Sequence, residues 1–66
     1  MKGKAEFTKQ EAEEIIALIR LKVKSSTNEQ KVIRNKIRKL CFYASDFGIG
    51  GGYTEHDFLR VVTIVE

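Results

Sequence analysis

Residues 9–23, KQEAEEIIALIRLKV, carry the helical pattern on which the fold depends. Apolar side chains recur there at the three- and four-residue spacing of one helix face: Ala12, Ile15, Ile16, Ile19 and Val23. Leu18 and Leu21 widen that face. So broad an apolar surface is typical of a helix that packs on two sides, so it predicts contacts inside the domain or at an oligomer interface.

Capping residues predict where the three helices begin. A Ser or Thr side chain accepts a backbone N–H at a helix start, and an acid three residues later bonds back to the cap. Three pairs have this spacing: Thr8 with Glu11, Ser26 with Glu29, and Thr54 with Asp57. We expect the third start to be the best formed, because Tyr53 and Phe58 add a hydrophobic staple. The predicted helices are Lys9–Val23, Asn28–Leu40 and Glu55–Val61, the first two forming a hairpin.

The remaining segments connect the helices or lie at the ends of the chain. Residues 45–53 contain four glycines and are predicted to be a mobile, glycine-rich connector. The β-branched side chains from Val62 to Val65 favour an extended chain, for which Ala5–Phe7 is the free partner. We therefore predict a mainly α fold, a compact three-helix domain over residues 1–66 with an optional two-stranded pairing of its N- and C-terminal segments. Residues 1–6 are expected to be flexible.

The predicted core combines the apolar faces of the three helices with one aromatic of the connector: Ile15, Ile16, Ile19, Ile33, Ile37, Leu40, Phe47, Phe58 and Leu59. Phe42 does not fit this pattern. At about 100° per residue it falls among the basic side chains of the second helix. Either that helix ends by Cys41 and Phe42 turns inward, or an aromatic ring lies in a basic patch. Cys41 itself is expected to be a small buried hydrophobe.

Size and composition restrict the class of protein. A chain of 66 residues holds one core and buries only about 60% of the surface of its unfolded form, which makes dimerisation a natural hypothesis. A single cysteine excludes an internal disulfide and suits a cytoplasmic location. The longest apolar run, Ile15–Ile19, is too short to span a bilayer, and Met1–Phe7 lacks a signal peptide's apolar stretch.

Charge is concentrated in the middle of the chain. Residues 20–39 carry eight Lys or Arg against one Glu, while the segments on both sides have an excess of acids. Basic side chains at successive helical turns can neutralise phosphates. The candidate nucleic-acid-binding residues are Lys31, Arg34, Asn35, Arg38, Lys39 and Phe42. The alternative is an ordinary solvated helix face.

Catalytic and metal chemistry find little support in the sequence. The glycine run lacks the Lys followed by Ser or Thr of a phosphate-binding P-loop. His56 is the single histidine, and one Cys with one His cannot form the usual tetrahedral metal site. We therefore expect no catalytic residue, cofactor, metal or small-molecule substrate. The acidic start of the first helix also argues against an anionic membrane surface.

The leading hypothesis is a non-enzymatic interaction module, which binds another protein or itself through surplus apolar surface on the first helix and the C-terminal segment. The alternative is a nucleic-acid-binding domain that uses the basic face of the second helix. Phe42 discriminates between them. A buried Phe42 favours the interaction module, and an exposed one favours nucleic-acid binding.

Overall fold

The elements follow one another along the chain with short connections. A computed structural model describes residues 2–65. Its elements are β1 (Glu6–Thr8), α1 (Lys9–Val23), α2 (Thr27–Lys39), a 3-10 turn (Ala44–Phe47), α3 (Glu55–Val61) and β2 (Thr63–Val65). The predicted bounds of α1 and α3 are confirmed, and α2 begins and ends one residue earlier than predicted. The mainly helical three-helix fold is confirmed as well.

All three predicted caps are present, with different geometry. At α1 the Thr8 Oγ accepts the Glu11 N–H at 3.2 Å, and Glu11 accepts the Thr8 N–H at 2.9 Å. The corresponding distances at α3 are 3.5 and 3.1 Å, so the third start is looser than the first, contrary to expectation. At α2 the Ser26 hydroxyl donates to the Glu29 carboxylate at 2.9 Å. Local side-chain chemistry therefore sets where each helix begins.

The two chain ends meet in a small parallel sheet. β1 pairs with β2 in the register Glu6 to Thr63, Phe7 to Ile64 and Thr8 to Val65. The Thr63 N–H adds a bond to the Ala5 carbonyl at 2.8 Å. The predicted pairing of the terminal segments is therefore confirmed. Phe7 is fully buried, whereas every residue of β2 is exposed, so the sheet covers the core with β1 alone.

The core is built around an aromatic cluster, which we define as Phe7, Phe42, Phe47, Tyr53 and Phe58. Phe42 contacts the other four rings, at centroid distances from 4.8 Å to Phe58 to 6.1 Å to Phe7. Three of these contacts are edge-to-face, which is the favourable geometry for aromatic pairs. Three rings of this cluster, Phe7, Phe42 and Phe58, are fully buried, and so are Ile15, Ile19 and Ile37.

Cys41 is the residue that turns Phe42 into this cluster. Its φ of 71° is left-handed, and its N–H donates to the Arg38 carbonyl at 2.9 Å, which closes α2. The first of the two alternatives for Phe42 is therefore correct. Cys41 itself is exposed, so the expectation that it packs as a buried hydrophobe is wrong. The side chain of Cys41, at the turn, thus points to solvent, and the side chain of Phe42, the next residue, enters the core.

The predicted core is partly correct. Ile15, Ile19, Ile33, Ile37 and Phe58 are buried, while Ile16, Leu40 and Phe47 are half-buried against them. The prediction that Leu59 belongs to the core is wrong, because Leu59 is 47% exposed. The face of α3 that packs on the core is narrow, and Phe58 occupies it. Four large or medium core side chains were missed: Phe7, Phe42, Tyr53 and Val62. They lie in or next to turns and strands, where helical periodicity gives no information.

Candidate functional site

The two flanks of α2 differ in chemistry and in neighbours. One flank, with Arg34 and Arg38, faces the connector of residues 45–53. The other, with Val32, faces the C-terminal part of α1. At 3.6 residues per turn, positions 34 and 38 stack on one side of the helix and position 32 lies on another. Each flank therefore forms a separate candidate surface.

The first surface is an open cleft of about 240 Å³, which we call the cationic cleft. Arg34 and Arg38 form one wall, one helical turn apart. The 3-10 turn and the connector form the rest of the lining, and the buried ring of Phe42 closes the base: Phe42, Ala44, Ser45, Ile49, Gly51 and Tyr53. The cleft thus combines two guanidinium groups with a hydroxyl and a glycine backbone.

Lys22 fixes the connector beside this cleft. Lys22 lies on the apolar side of α1 and is only 3% exposed. Its charged Nζ finds acceptors there, because it donates to the carbonyls of Gly51 at 2.7 Å and Tyr53 at 3.0 Å. The ammonium also lies 3.6 Å from the centroid of the Tyr53 ring. Burial lowers the pKa of Lys22, and the nearby charge of Arg34 lowers it further.

Arg34 lies closely over the same connector. A Cβ placed on Gly51 would be 2.7 Å from Nη1 of Arg34, so a side chain at position 51 would displace the end of the Arg34 side chain. Burial raises the pKa of Tyr53, and the charges of Arg34 and Arg38 oppose that increase. The charges of both guanidinium groups therefore affect the pKa of a tyrosine that lines the cleft.

The cleft has an unbalanced positive charge. Within residues 2–65 the ion pairs are Lys4 with Glu11, Arg20 with Glu55, and Arg60 with Asp57. None of them includes Lys22, Arg34 or Arg38, and no carboxylate belongs to the cleft lining in this part of the chain. The buried Lys22, the half-buried Arg34 and the exposed Arg38 thus lie around the connector, and no acid pairs with any of them in the part of the chain that the structure describes.

The six residues predicted to contact nucleic acid do not form one site. Arg34, Arg38 and Phe42 line the cleft together, whereas Lys31, Asn35 and Lys39 are exposed outside its lining. Phe42 is 1% exposed, so its ring cannot stack on a base. The sequence analysis missed Lys22, Ser45, Gly51 and Tyr53 as neighbours of these arginines.

One feature of the sequence could have indicated Lys22. It follows Ile15 by seven residues and Ile19 by three, so it continues the buried face of α1. A lysine on such a face needs acceptors for its ammonium group, because an unsatisfied buried charge is costly. Val23, which the apolar spacing places on that face, is instead 61% exposed.

The second surface is a groove of about 260 Å³ between α1 and α2, which we call the apolar groove. Leu21 and Val32 line it and are 54% and 56% exposed. The other lining residues are Ser25, Ile33, Glu29 and Lys36. An acid and a base thus flank two large exposed apolar side chains.

Further exposed apolar side chains lie at the C-terminal end of the chain. Leu59, Ile64 and Val65 are between 37% and 47% exposed. Val23 lies apart from them, in a pocket with Arg20 and Glu55. Arg20 and Glu55 form a two-bond ion pair at 3.0 Å that joins α1 to the start of α3. The surplus apolar surface expected on the first helix and the C-terminal segment is therefore divided among several places.

Two further features concern the residues that the structure describes. Between positions 2 and 65 no group of three or more His, Cys, Asp or Glu side chains is placed to hold a metal ion. No helix in that range has the length and apolar character to cross a membrane. Comparison of the chain with protein-family models, curated proteins and solved structures finds no match in any of the three.

Proposed function

We propose that this protein is a non-enzymatic interaction module that associates with a second copy of itself through the apolar groove. The observation that carries the proposal is the exposure of Leu21 and Val32 side by side in one groove. Each leaves more than half of a large apolar side chain in water, and covering such surface stabilises an assembly. The small size of the chain adds to this, since its own core covers little surface.

The charges that flank the groove suit a symmetric partner. Two α2 helices related by a twofold axis at the midpoint of Val32 and Ile33 run antiparallel, so position 29 of one copy faces position 36 of the other. Glu29 and Lys36 then form two equivalent ion pairs, each about 5 Å along the axis from the centre. Val32 of one copy lies against Val32 of the other. The groove is thus complementary to itself.

Burial of Phe42 supports this proposal over nucleic-acid binding. An exposed Phe42 ring among the basic side chains would have favoured nucleic-acid binding by α2, and that ring lies in the aromatic cluster. The groove is small for an interface, because six residues line it, whereas a stable interface takes about 20–30 residues from each partner. We therefore expect a weak dimer whose population depends on concentration. The cytoplasmic location remains a prediction.

Sedimentation equilibrium over a range of protein concentrations tests the groove. We expect the wild-type chain to dimerise and Val32→Lys to weaken the dimer at least tenfold, because it places a charge at the centre of the interface. Val23→Lys is the matched control, since it is also a helical valine with more than half of its side chain exposed. A wild-type monomer at all concentrations contradicts the proposal, and so does an equal effect of both variants.

A charge exchange tests the twofold arrangement. Glu29→Lys alone brings two ammonium groups together, because the new side chain faces Lys36 of the second copy, and Lys36→Glu alone brings two acids together. Each single variant should therefore weaken the dimer. The double variant restores both pairs with reversed signs and should recover the dimer. Failure of this recovery, with both single variants folded, shows that the copies do not meet about this axis.

A further inference from the structure

The second flank of α2 carries a feature that self-association does not use. Lys22, Arg34 and Arg38 place three positive charges around the connector, and among residues 2–65 no acid pairs with any of them. The ammonium of Lys22 is buried and Arg34 beside it is half-buried, so these two like charges repel more strongly than they would in open water. The folded chain maintains this arrangement because Lys22 bonds to the connector and Arg34 packs over Gly51. An anion in the cleft would relieve the repulsion.

We propose that the cationic cleft binds a phosphate group, held by the guanidinium groups of Arg34 and Arg38 and by the hydroxyl of Ser45. Each guanidinium offers parallel N–H donors that match two oxygens of an oxyanion. A carboxylate has two oxygens and is satisfied by one guanidinium. A phosphate group has enough oxygens for both arginines and the hydroxyl, so it fits the complete set of donors.

The shape of the cleft favours a single compact group over a nucleic-acid strand. Its volume of about 240 Å³ is closed at the base by Phe42, which offers no exposed ring for a base. The basic residues outside the lining, Lys31 and Lys39, do not contribute to it. The ligand is therefore inorganic phosphate or the terminal phosphate of a small monoester, and both present the same dianionic group.

Lys22 is a positioning residue for this site. Its ammonium fixes the carbonyls of Gly51 and Tyr53, so the connector keeps one wall of the cleft in place. Gly51 lets the guanidinium of Arg34 lie against the connector, since a Cβ at position 51 would push the end of that side chain away. Lys22 thus holds the connector in place, and no acid in the cleft lining offsets the charges of the arginines.

Amide NMR titrations test the site at about pH 7.5, where phosphate is largely dianionic. The probes are sodium phosphate, glycerol 2-phosphate and a short single-stranded DNA, each compared with sodium chloride at equal ionic strength. We expect saturable shifts at Arg34, Arg38, Ser45 and Gly51 with phosphate or the monoester. Tighter binding of the monoester identifies a small phosphorylated ligand as the source, and equal binding identifies free phosphate.

Matched variants decide whether the cleft is responsible. Arg38→Ala should weaken phosphate binding about tenfold or more, because it removes a charge-assisted contact. Lys39→Ala removes an exposed cation of the same helix outside the cleft and should leave the affinity unchanged. Equal losses in both variants overturn the proposal, as do shifts that sodium chloride reproduces. Binding of DNA alone, weakened by Lys31→Ala as much as by Arg38→Ala, also overturns it and favours nucleic-acid binding.

Discussion

At the scale of single residues, Cys41 determines where α2 ends and where the side chain of Phe42 points. Its left-handed backbone ends α2 and directs Phe42 into the aromatic cluster, although its own side chain is exposed. A non-glycine residue in this conformation costs about 1–2 kcal/mol, because Cβ crowds the following carbonyl. The position that determines the hydrophobic core is thus itself strained and solvent-exposed.

This strain gives a prediction for two substitutions. Cys41→Gly should raise the free energy of unfolding by about 0.5–1 kcal/mol, since relief of strain exceeds the entropy that glycine adds to the unfolded chain. Cys41→Ala keeps the Cβ and should change stability little. Urea denaturation followed by circular dichroism measures both. A Cys41→Gly protein less stable than Cys41→Ala contradicts the prediction.

At the scale of elements, the segment before β1 is held by backbone hydrogen bonds. The N–H groups of Lys2 and Gly3 donate to the carboxylate of Asp46 at 2.9 Å each, and the Lys4 N–H donates to the Cys41 carbonyl at 2.9 Å. The bonds from the Lys2 and Gly3 backbone lower the pKa of Asp46. The expected flexibility of residues 1–6 stays a prediction, and these three bonds are the contacts that would oppose it.

Gly3 is the residue whose size permits this attachment. A Cβ there would collide with the Cys41 carbonyl oxygen and lie 2.7 Å from the Tyr43 ring. We expect Gly3→Ala to displace residues 2–4, to lose hydrogen-exchange protection at the Lys4 amide, and to lower stability by about 1 kcal/mol. Gly50→Ala is the control, since nothing lies within 4 Å of the added Cβ. Unchanged protection in Gly3→Ala contradicts the structural interpretation.

The elements also show how far the sequence predicted the fold. The bounds of α1 and α3 were predictable, because capping pairs and apolar spacing are local properties of the chain. The pairing of β1 with β2 was predictable only from composition and the lack of another partner. The burial of Phe42 could be given only as one of two alternatives, because it depends on the turn at Cys41. The spacing of α1 places Lys22 on the buried face, but its hydrogen-bond acceptors could not be predicted, because they are connector carbonyls from distant positions.

At the scale of the whole molecule, hydrogen-bonded carboxylates make stability depend on pH. The pKa values of Glu11, Asp46 and Glu55 are lowered, chiefly by bonds from the Thr8 backbone, from the Lys2 and Gly3 backbone, and from Arg20. The folded state therefore binds fewer protons than the unfolded state near the ordinary pKa values of these groups. Their contribution is complete above those values and is lost as pH falls through the lowered ones.

We therefore expect the urea midpoint to stay constant from about pH 7 to pH 5.5 and to fall at lower pH. Glu55→Gln should reduce the size of this fall, because the Arg20 bond then no longer depends on ionisation. Glu13→Gln is the matched control, because it makes the same substitution at an exposed acid of α1 that is outside these hydrogen bonds. A midpoint that rises on acidification contradicts the assignment.

The candidate sites were predictable to a smaller extent than the fold. The charge pattern identified Arg34 and Arg38, since helical spacing places them together. It could not separate them from Lys31 and Lys39, because the connector that forms the opposite wall of the cleft is positioned by tertiary contacts. Val32 was missed for the apolar groove, because its exposure depends on where α1 packs against α2.

The parallel pairing of β1 and β2 also has a mechanical consequence. When the two ends of the chain are pulled apart, the force acts at opposite ends of the parallel strand pair. The strands are then pulled along one another, and all of their hydrogen bonds bear the load together. An antiparallel pair loaded in this way would open one bond at a time. The hydrogen bonds between β1 and β2, from Glu6 and Thr63 to Thr8 and Val65, are therefore loaded in shear. They have to break before the tension reaches any helix.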